Sequence, residues 1–308
     1  MRQLSYHLVD VFTERAFGGN PLAVFTDGRK IPDALMQSIA KELNLSETTF
    51  VLPPDEAKHD FRVRIFTPKS ELPMAGHPTV GTAFVLAREG MLKKSEAVFE
   101  EVVGPVPVSV ELGADGPGFI EMCQPLPKFG RRFEDPNAIA QMLSLDRTAI
   151  CDLPLEVVSC GNPFFFVPID TLESIRRIRF RPDLAERIVK ETGATGVFVF
   201  TQEVESAGSH VHGRLFAPGE GIMEDPATGS AAGPLGCYLS RYGLTTGGGE
   251  TRSVLEQGIE MGRPSFLHIR IKHSAGEIAG VHVGGTCCYM GSGQLELHED
   301  GGLESAAP

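Results

Sequence analysis

His77-Pro78-Thr79-Val80-Gly81-Thr82-Ala83 returns later in the chain, altered, as Asp225-Pro226-Ala227-Thr228-Gly229-Ser230-Ala231, with Pro226 lying 148 residues after Pro78. Two further blocks precede it in the same order. Arg64-Ile65-Phe66-Thr67-Pro68 recurs 150 residues on as Arg214-Leu215-Phe216-Ala217-Pro218. Gly19-Asn20-Pro21 recurs 142 residues on as Gly161-Asn162-Pro163, each followed by an apolar run (LAVF, then FFFV). Three blocks in one order at nearly one spacing describe a duplication. Two copies fall short of a solenoid, which needs at least three short repeats; they imply a pseudo-symmetric pair of domains. The 308 residues suffice for two lobes of about 150 each. The expected division is 1–124, joined by a C-terminal strand at about 288–308, and 125–287.

The first copy reads as a strand at 6–12, the GNP turn, a strand at 22–25 and a helix at 32–43 carrying Leu35, Ile39 and Leu43 on one face. Strands follow at 48–52 and 61–66. The helix from Pro78 to Glu89 is apolar almost all round and stopped by Gly90, which marks it as buried. Strands at 97–103 and 106–112 close this half. The second copy has strands near 155–159, 164–168, 197–202, 210–216, 252–260 and 266–272, with helices near 182–191 and 226–242. Two more strands fit within 279–297, and the last can return to the first half. The fold class is therefore α+β: two half-barrels, each an antiparallel sheet curled around one central helix. Pro234 falls inside the second central helix, where it lacks an N–H and crowds the Ser230 carbonyl, so a kink or reset is expected. The closing GGLESAAP reads as a disordered tail.

Composition narrows the function. A net charge of −12 argues against nucleic acid as the main partner, because phosphate binding requires a positive footprint. No apolar run is long enough to span a bilayer, and the first residues lack the pattern of a signal peptide, so a cytoplasmic protein is expected. Cys123, Cys151, Cys160, Cys237, Cys287 and Cys288 form no CxxC pair or zinc-like spacing and read as small buried hydrophobes. Adjacent Cys287 and Cys288 would point to opposite faces of a strand. His210 and His212 share a face of a strand but have no accompanying ligands, so no metal site is expected. Nucleotide-binding GxGxxG and GxxxxGK[ST] patterns and the GxSxG nucleophile elbow are absent from the sequence.

Chemistry is expected where the duplication is imperfect. Each central helix follows a strand, a loop and an X-Pro step, and a buried helix start leaves unpaired N–H groups that suit an anion. Pseudo-symmetry would bring both starts to one crevice between the halves, a preferred place for a ligand. His77 and Asp225 stand at the matched position. Glu47, in Asn44-Leu45-Ser46-Glu47-Thr48-Thr49-Phe50, has only Gly193-Ala194-Thr195-Gly196 opposite it in the second copy. Most loop glutamates are simply solvated, but a carboxyl in an apolar crevice has a raised pKa, as a proton shuttle near neutral pH requires.

These blocks, together with DVFTERAFGGNPLAVF, LSETTFV, FTPKSELPMAGHPTVGTA, EDPATGSAA and Gly262-Arg263-Pro264-Ser265, resemble the phenazine-biosynthesis F protein (PhzF-like) family over about residues 4–297. The resemblance implies the diaminopimelate-epimerase fold, frequent homodimers and a cofactor-independent isomerase acting on a small carboxylate-bearing metabolite. It implies that Glu47 is the general acid/base, with Asp225 and His77 also in the catalytic set. Ser46, Gly76, Gly229 and Ser230 would bind the substrate. Related epimerases carry a cysteine before each central helix; here those positions fall at Ala75 and at Asp225-Pro226, which excludes two-thiol racemisation. Two further readings stay open: an epimerase or dehydratase pairing Glu47 with Asp225 or His77, and a non-catalytic metabolite-binding module.

Overall fold

Two apolar helices dictate the architecture. In the computed structural model, which describes residues 2–29, 31–114 and 116–297, six α-helices are present. They are α1 (Asp33–Leu43), α2 (Gly76–Arg88), α3 (Pro136–Leu143), α4 (Leu172–Arg177), α5 (Pro182–Thr192) and α6 (Gly229–Arg241). Every residue of α2 from Gly76 to Leu86 and of α6 from Gly229 to Leu239 is buried. Such helices have no solvated face, so each must be enclosed. The strands from Arg2–Val11 to Gly116–Gln124 accompany α2, and those from Lys128–Arg132 to Glu277–Gly285 accompany α6. The fold is that of two diaminopimelate-epimerase-like half-barrels.

The halves join through their sheets. Glu277–Gly285 pairs with Gly116–Gln124, Val281 opposite Gln124 and Gly285 opposite Ile120. The final strand Cys287–Leu297 returns as expected, antiparallel to Arg2–Val11 from Arg2–Leu297 to Val11–Cys287. The strand Gly116–Gln124, rather than residues 106–112, therefore closes the first half. Pairing is mainly antiparallel, but each half also contains two parallel pairs. Asn20–Phe25 runs parallel to Glu47–Leu52 and Phe61–Phe66 to Glu96–Glu101; Pro163–Pro168 runs parallel to Gly196–Thr201 and Val211–Ala217 to Glu250–Gln257.

Outside the barrels, α1 covers an aromatic ladder in which Phe25 stacks on Phe50 at 4.9 Å and Phe50 meets Phe66 edge-on at 5.6 Å. Its buried residues are Met36, Ile39 and Ala40, with Leu35 and Leu43 only partly covered. The helix ends at Asn44 in the left-handed conformation, which turns the chain towards Glu47. On the second half α3, α4 and α5 form the equivalent outer layer. Only Cys160 and Cys237 behave as the buried hydrophobes expected of all six cysteines; their sulfurs lie 4.0 Å apart, and the other four are half-buried. The expected disordered tail lies outside the described residues. No helix among those described is long and apolar enough to cross a membrane.

The reset expected at Pro234 does not occur: α6 runs unbroken from Gly229 to Arg241. Beside it, Gly233 leaves room for the Gln124 side chain, whose Nε2 donates to the Gly229 carbonyl at 2.8 Å. The strand neighbour thus supplies a hydrogen bond in the turn that proline disturbs.

Candidate active site

The duplication is visible as chemistry. Arg64 forks onto Glu71 (2.8 and 2.7 Å) and lies over Phe66; Arg214 forks onto Glu224 (2.8 and 2.9 Å) and lies over Phe216. The GNP asparagines exchange partners between halves. Asn20 Nδ2 donates to the Ala227 carbonyl (3.0 Å) just before α6, and Asn162 Nδ2 donates to the Met74 carbonyl (2.9 Å) just before α2. These paired contacts set the true correspondence: Met74 with Ala227, Ala75 with Thr228, and Gly76 with Gly229. The match of His77 to Asp225 is therefore corrected. The second helix begins at Gly229, not Pro226, so His77 corresponds to Ser230 and the second thiol position is Thr228. The cause is local: ten residues separate Arg214 from Glu224, against seven between Arg64 and Glu71, so helix spacing becomes 153 residues instead of 150.

The two helix starts meet backbone to backbone. Gly76 packs so tightly on Gly229 that a Cβ at Gly76 would lie 2.3 Å from the Gly229 carbonyl carbon. Neither helix has a side-chain N-cap, unlike α3 with Asp135 and α4 with Thr171. The first N–H groups of both are left to an outside acceptor. A cavity of about 410 Å³ adjoins these starts; Glu47, Ala75, Asn162, Asp225, Thr228 and Ser230 are among its lining residues.

Glu47 opens the strand Glu47–Leu52 and is 7% exposed. Burial raises its pKa well above the ordinary carboxylate value, and the nearby charges of Asp225 and Glu220 add to the rise. Its Oε2 has no hydrogen-bond partner and lies 3.3 Å from His77 Nε2, which also has none; the two atoms face each other out of hydrogen-bonding line. Burial lowers the His77 pKa to about 3, so the ring is neutral. The Asn20 amide nitrogen, which can only donate, sits 3.1 Å from His77 Nδ1, so the ring proton belongs on Nε2, towards Glu47.

Asp225 is tied down. Its Oδ1 accepts from Asn20 (2.8 Å) and Ser46 (3.2 Å), and its Oδ2 from Thr228 Oγ1 (2.5 Å). Burial outweighs these donors and pushes its pKa up to about 6. Gln257 clasps the same turn, donating to the Asp225 carbonyl and Thr228 Oγ1 while accepting from Thr228 N–H. Arg263 bonds Asp10 and the carbonyls of Gly18 and Gly19, fixing the approach to Asn20. Of the seven expected site residues, Glu47, Asp225 and Ser230 line the cavity; His77 lies against Glu47, Ser46 bonds Asp225, and Gly76 and Gly229 form the abutting helix starts. Sequence reading missed Asn20, Thr228, Gln257 and Arg263, although the repeated GNP and the GRPS motif pointed at two of them. His212 belongs elsewhere: Glu256 and Glu260 occupy its two ring nitrogens at 2.8 and 2.9 Å. Burial would lower its pKa, but the two carboxylates prevail and hold it at about 9.

Behind α2, burial pushes the Glu101 carboxyl up to about 8. Thr79 Oγ1 lies 2.7 Å from the Ala75 carbonyl and 2.5 Å from Glu101. The hydroxyl has one proton to give, so a neutral Glu101 donating to Thr79 satisfies both contacts. A folded-state pKa raised from 4.5 to about 8 contributes stability that is full below pH 4.5 and lost as pH rises through about 8. Relative to Glu101→Gln, the native protein should lose roughly 1 kcal/mol per pH unit across this window and level off above it. Urea unfolding at four pH values measures this; parallel stability curves for the two proteins would refute it.

Paired half-barrels enclosing a crevice with two buried carboxyl groups of raised pKa define a diaminopimelate-epimerase-like enzyme architecture. Residues 9–293 match the model of the phenazine biosynthesis-like protein family (PhzC-PhzF), and the chain belongs to that family. It is 39% identical to an uncharacterized isomerase of Mesorhizobium japonicum, covering 96% of this chain and 99% of the relative. It is 35% identical to the trans-2,3-dihydro-3-hydroxyanthranilate isomerase of Pseudomonas aeruginosa, over 95% of this chain and 99% of that one. The solved PhzF-family phenazine biosynthesis protein of Bacillus anthracis superposes with a TM-score of 0.89 at 27% identity, covering 96% of this chain and all of the other. The protein is an isomerase.

Proposed function

We propose that this isomerase moves a proton between two carbons of a small unsaturated acid, with Glu47 as the single acid/base group. The observation that carries the reading is the asymmetry at Glu47. Leu22 pairs with Glu47 in the first half as Phe164 pairs with Gly196 in the second, so the strand register puts Gly196 at the matched position. A two-base epimerase needs a proton-transferring group on each face of its substrate, and glycine supplies none. The substrate carboxylate docks on the uncapped starts of α2 and α6, with the Ser230 hydroxyl beside it. Glu47 hands its proton to one carbon and takes one back from another, so it ends in the form in which it began; atoms and charge balance without any further reactant. His77 Nε2–H stabilises the ionised Glu47, and Asp225, Ser46 and Thr228 hold the wall rigid.

A carboxylate deprotonates carbon at useful rates only where an unsaturated neighbour acidifies the C–H. The acid after which the Pseudomonas aeruginosa relative is named is the first candidate, and other cyclic unsaturated acids follow. Incubation in deuterium oxide should place deuterium at a single carbon of the product, and Glu47→Gln should abolish both product and label. Acids that bind and raise the melting temperature, yet give neither product nor label, would instead make the crevice a binding module.

A further inference from the structure

The halves differ at one place on the crevice wall. The three residues that lengthen the second copy between Arg214 and Glu224 lie where the chain forms a 3₁₀ turn, Pro218–Glu220, and Glu220 from this turn lines the cavity. Every charged residue of the lining is a carboxylate: Glu47, Glu71, Glu220 and Asp225. Three of them are accounted for. Glu71 is forked by Arg64, Asp225 accepts three hydrogen bonds, and Glu47 is buried, which favours its neutral form. Glu220 has neither an ion pair nor a hydrogen bond among the described residues. Lys69 crosses from the first half to this turn but donates to the Gly219 carbonyl at 3.3 Å, not to Glu220. A half-buried carboxylate without a partner therefore faces a cavity that is to admit an anion.

We propose that Glu220 is a specificity-determining residue that receives a protonated amino group of the substrate, so that the crevice selects zwitterionic acids over purely anionic ones. The inference rests on the reading above, in which the substrate carboxylate docks at the helix starts. An anion lacking an amine meets uncompensated repulsion from Glu220. A substrate ammonium turns that repulsion into a charge-assisted hydrogen bond, and the partly desolvated wall strengthens it relative to bulk water.

The test uses two acids of one shape, cis-3-aminocyclohexanecarboxylate and cyclohexanecarboxylate, titrated calorimetrically into the wild-type protein and Glu220→Gln. Wild type should bind the amino acid about tenfold more tightly, the scale of one charge-assisted hydrogen bond. Glu220→Gln should lose that preference by weakening the amino acid alone, and Glu220→Asp should restore part of it. Equal binding of both acids to wild type, or an undiminished preference in Glu220→Gln, overturns the role of Glu220 and leaves carboxylate docking intact. Failure of both acids to bind wild type overturns the docking reading, and the inference with it.

Discussion

Glu47→Gln is expected to lower turnover by roughly a hundredfold or more, the usual scale for loss of a general acid/base, without loss of stability. Glutamine keeps the volume and planar shape of the side chain. It also mimics the neutral carboxyl, the form that burial and the fields of Asp225 and Glu220 favour. The substitution therefore removes the exchangeable proton without uncovering a buried charge. By the linkage that applies to Glu101, wild type loses stability relative to the variant as pH rises above 4.5 until Glu47 ionises, so Glu47→Gln should be at least as stable as wild type at neutral pH. Affinity for a non-reacting acid should also survive, since carboxylate docking belongs to the helix starts. The decisive pattern is lost turnover with retained binding and retained melting temperature, measured on the acid found by deuterium labelling. Turnover within tenfold of wild type would remove Glu47 from the chemistry and leave Asp225, with its pKa of about 6, as the buried carboxyl to examine.

Much of this site was legible because a duplication exposes its own exceptions. Two copies of a GNP turn and two Arg-Φ-Phe-x-Pro strands fixed the pairing of halves, and Glu47 stood out as a carboxylate with glycine opposite. The crevice wall also includes contacts between residues about two hundred positions apart, such as Asn20 with Asp225 and Ala227. No local pattern announces these; the hint was only that Asn20 and Asn162 recur. The helix correspondence went wrong for a physical reason. Small residues at helix starts resemble one another in any register, so HPTVGTA and DPATGSA align at 148 residues while the helices themselves are displaced by 153. The insertion that carries Glu220 makes up the difference from the 150-residue arginine spacing. Helix α3 was overlooked despite a readable signal: Asp135 caps it through the N–H groups of Asn137 and Ala138, and Pro136 occupies its first turn.

Gly76→Ala should cost about 3 kcal/mol or more in stability, at the upper end of overpacking effects, and should weaken acid binding by more than tenfold. Glycine here is required by space. No left-handed conformation is involved, because the added Cβ would lie 2.3, 2.4 and 2.5 Å from Gly229 C, Gly229 Cα and Ser230 N. All three are backbone atoms in the first turn of α6, so no rotamer change relieves the overlap. The helix starts must move apart by about an ångström to restore ordinary contact distances. Both helices are enclosed by their barrels, so that movement strains two cores at once. It also pulls on the exchanged asparagines: Asn20 must hold Asp225 and Ala227 while Asn162 holds Met74. Loss of either contact spreads the N–H groups on which the carboxylate is to dock. Gly248→Ala is the matched control, with nothing within 4 Å of its added Cβ, and should be nearly neutral. Urea unfolding and calorimetric titration with cyclohexanecarboxylate, run on both variants, separate the two effects. If Gly76→Ala remains within about 1 kcal/mol of wild type and binds the acid normally, the helix starts are not held in the close contact on which the shared anion site depends.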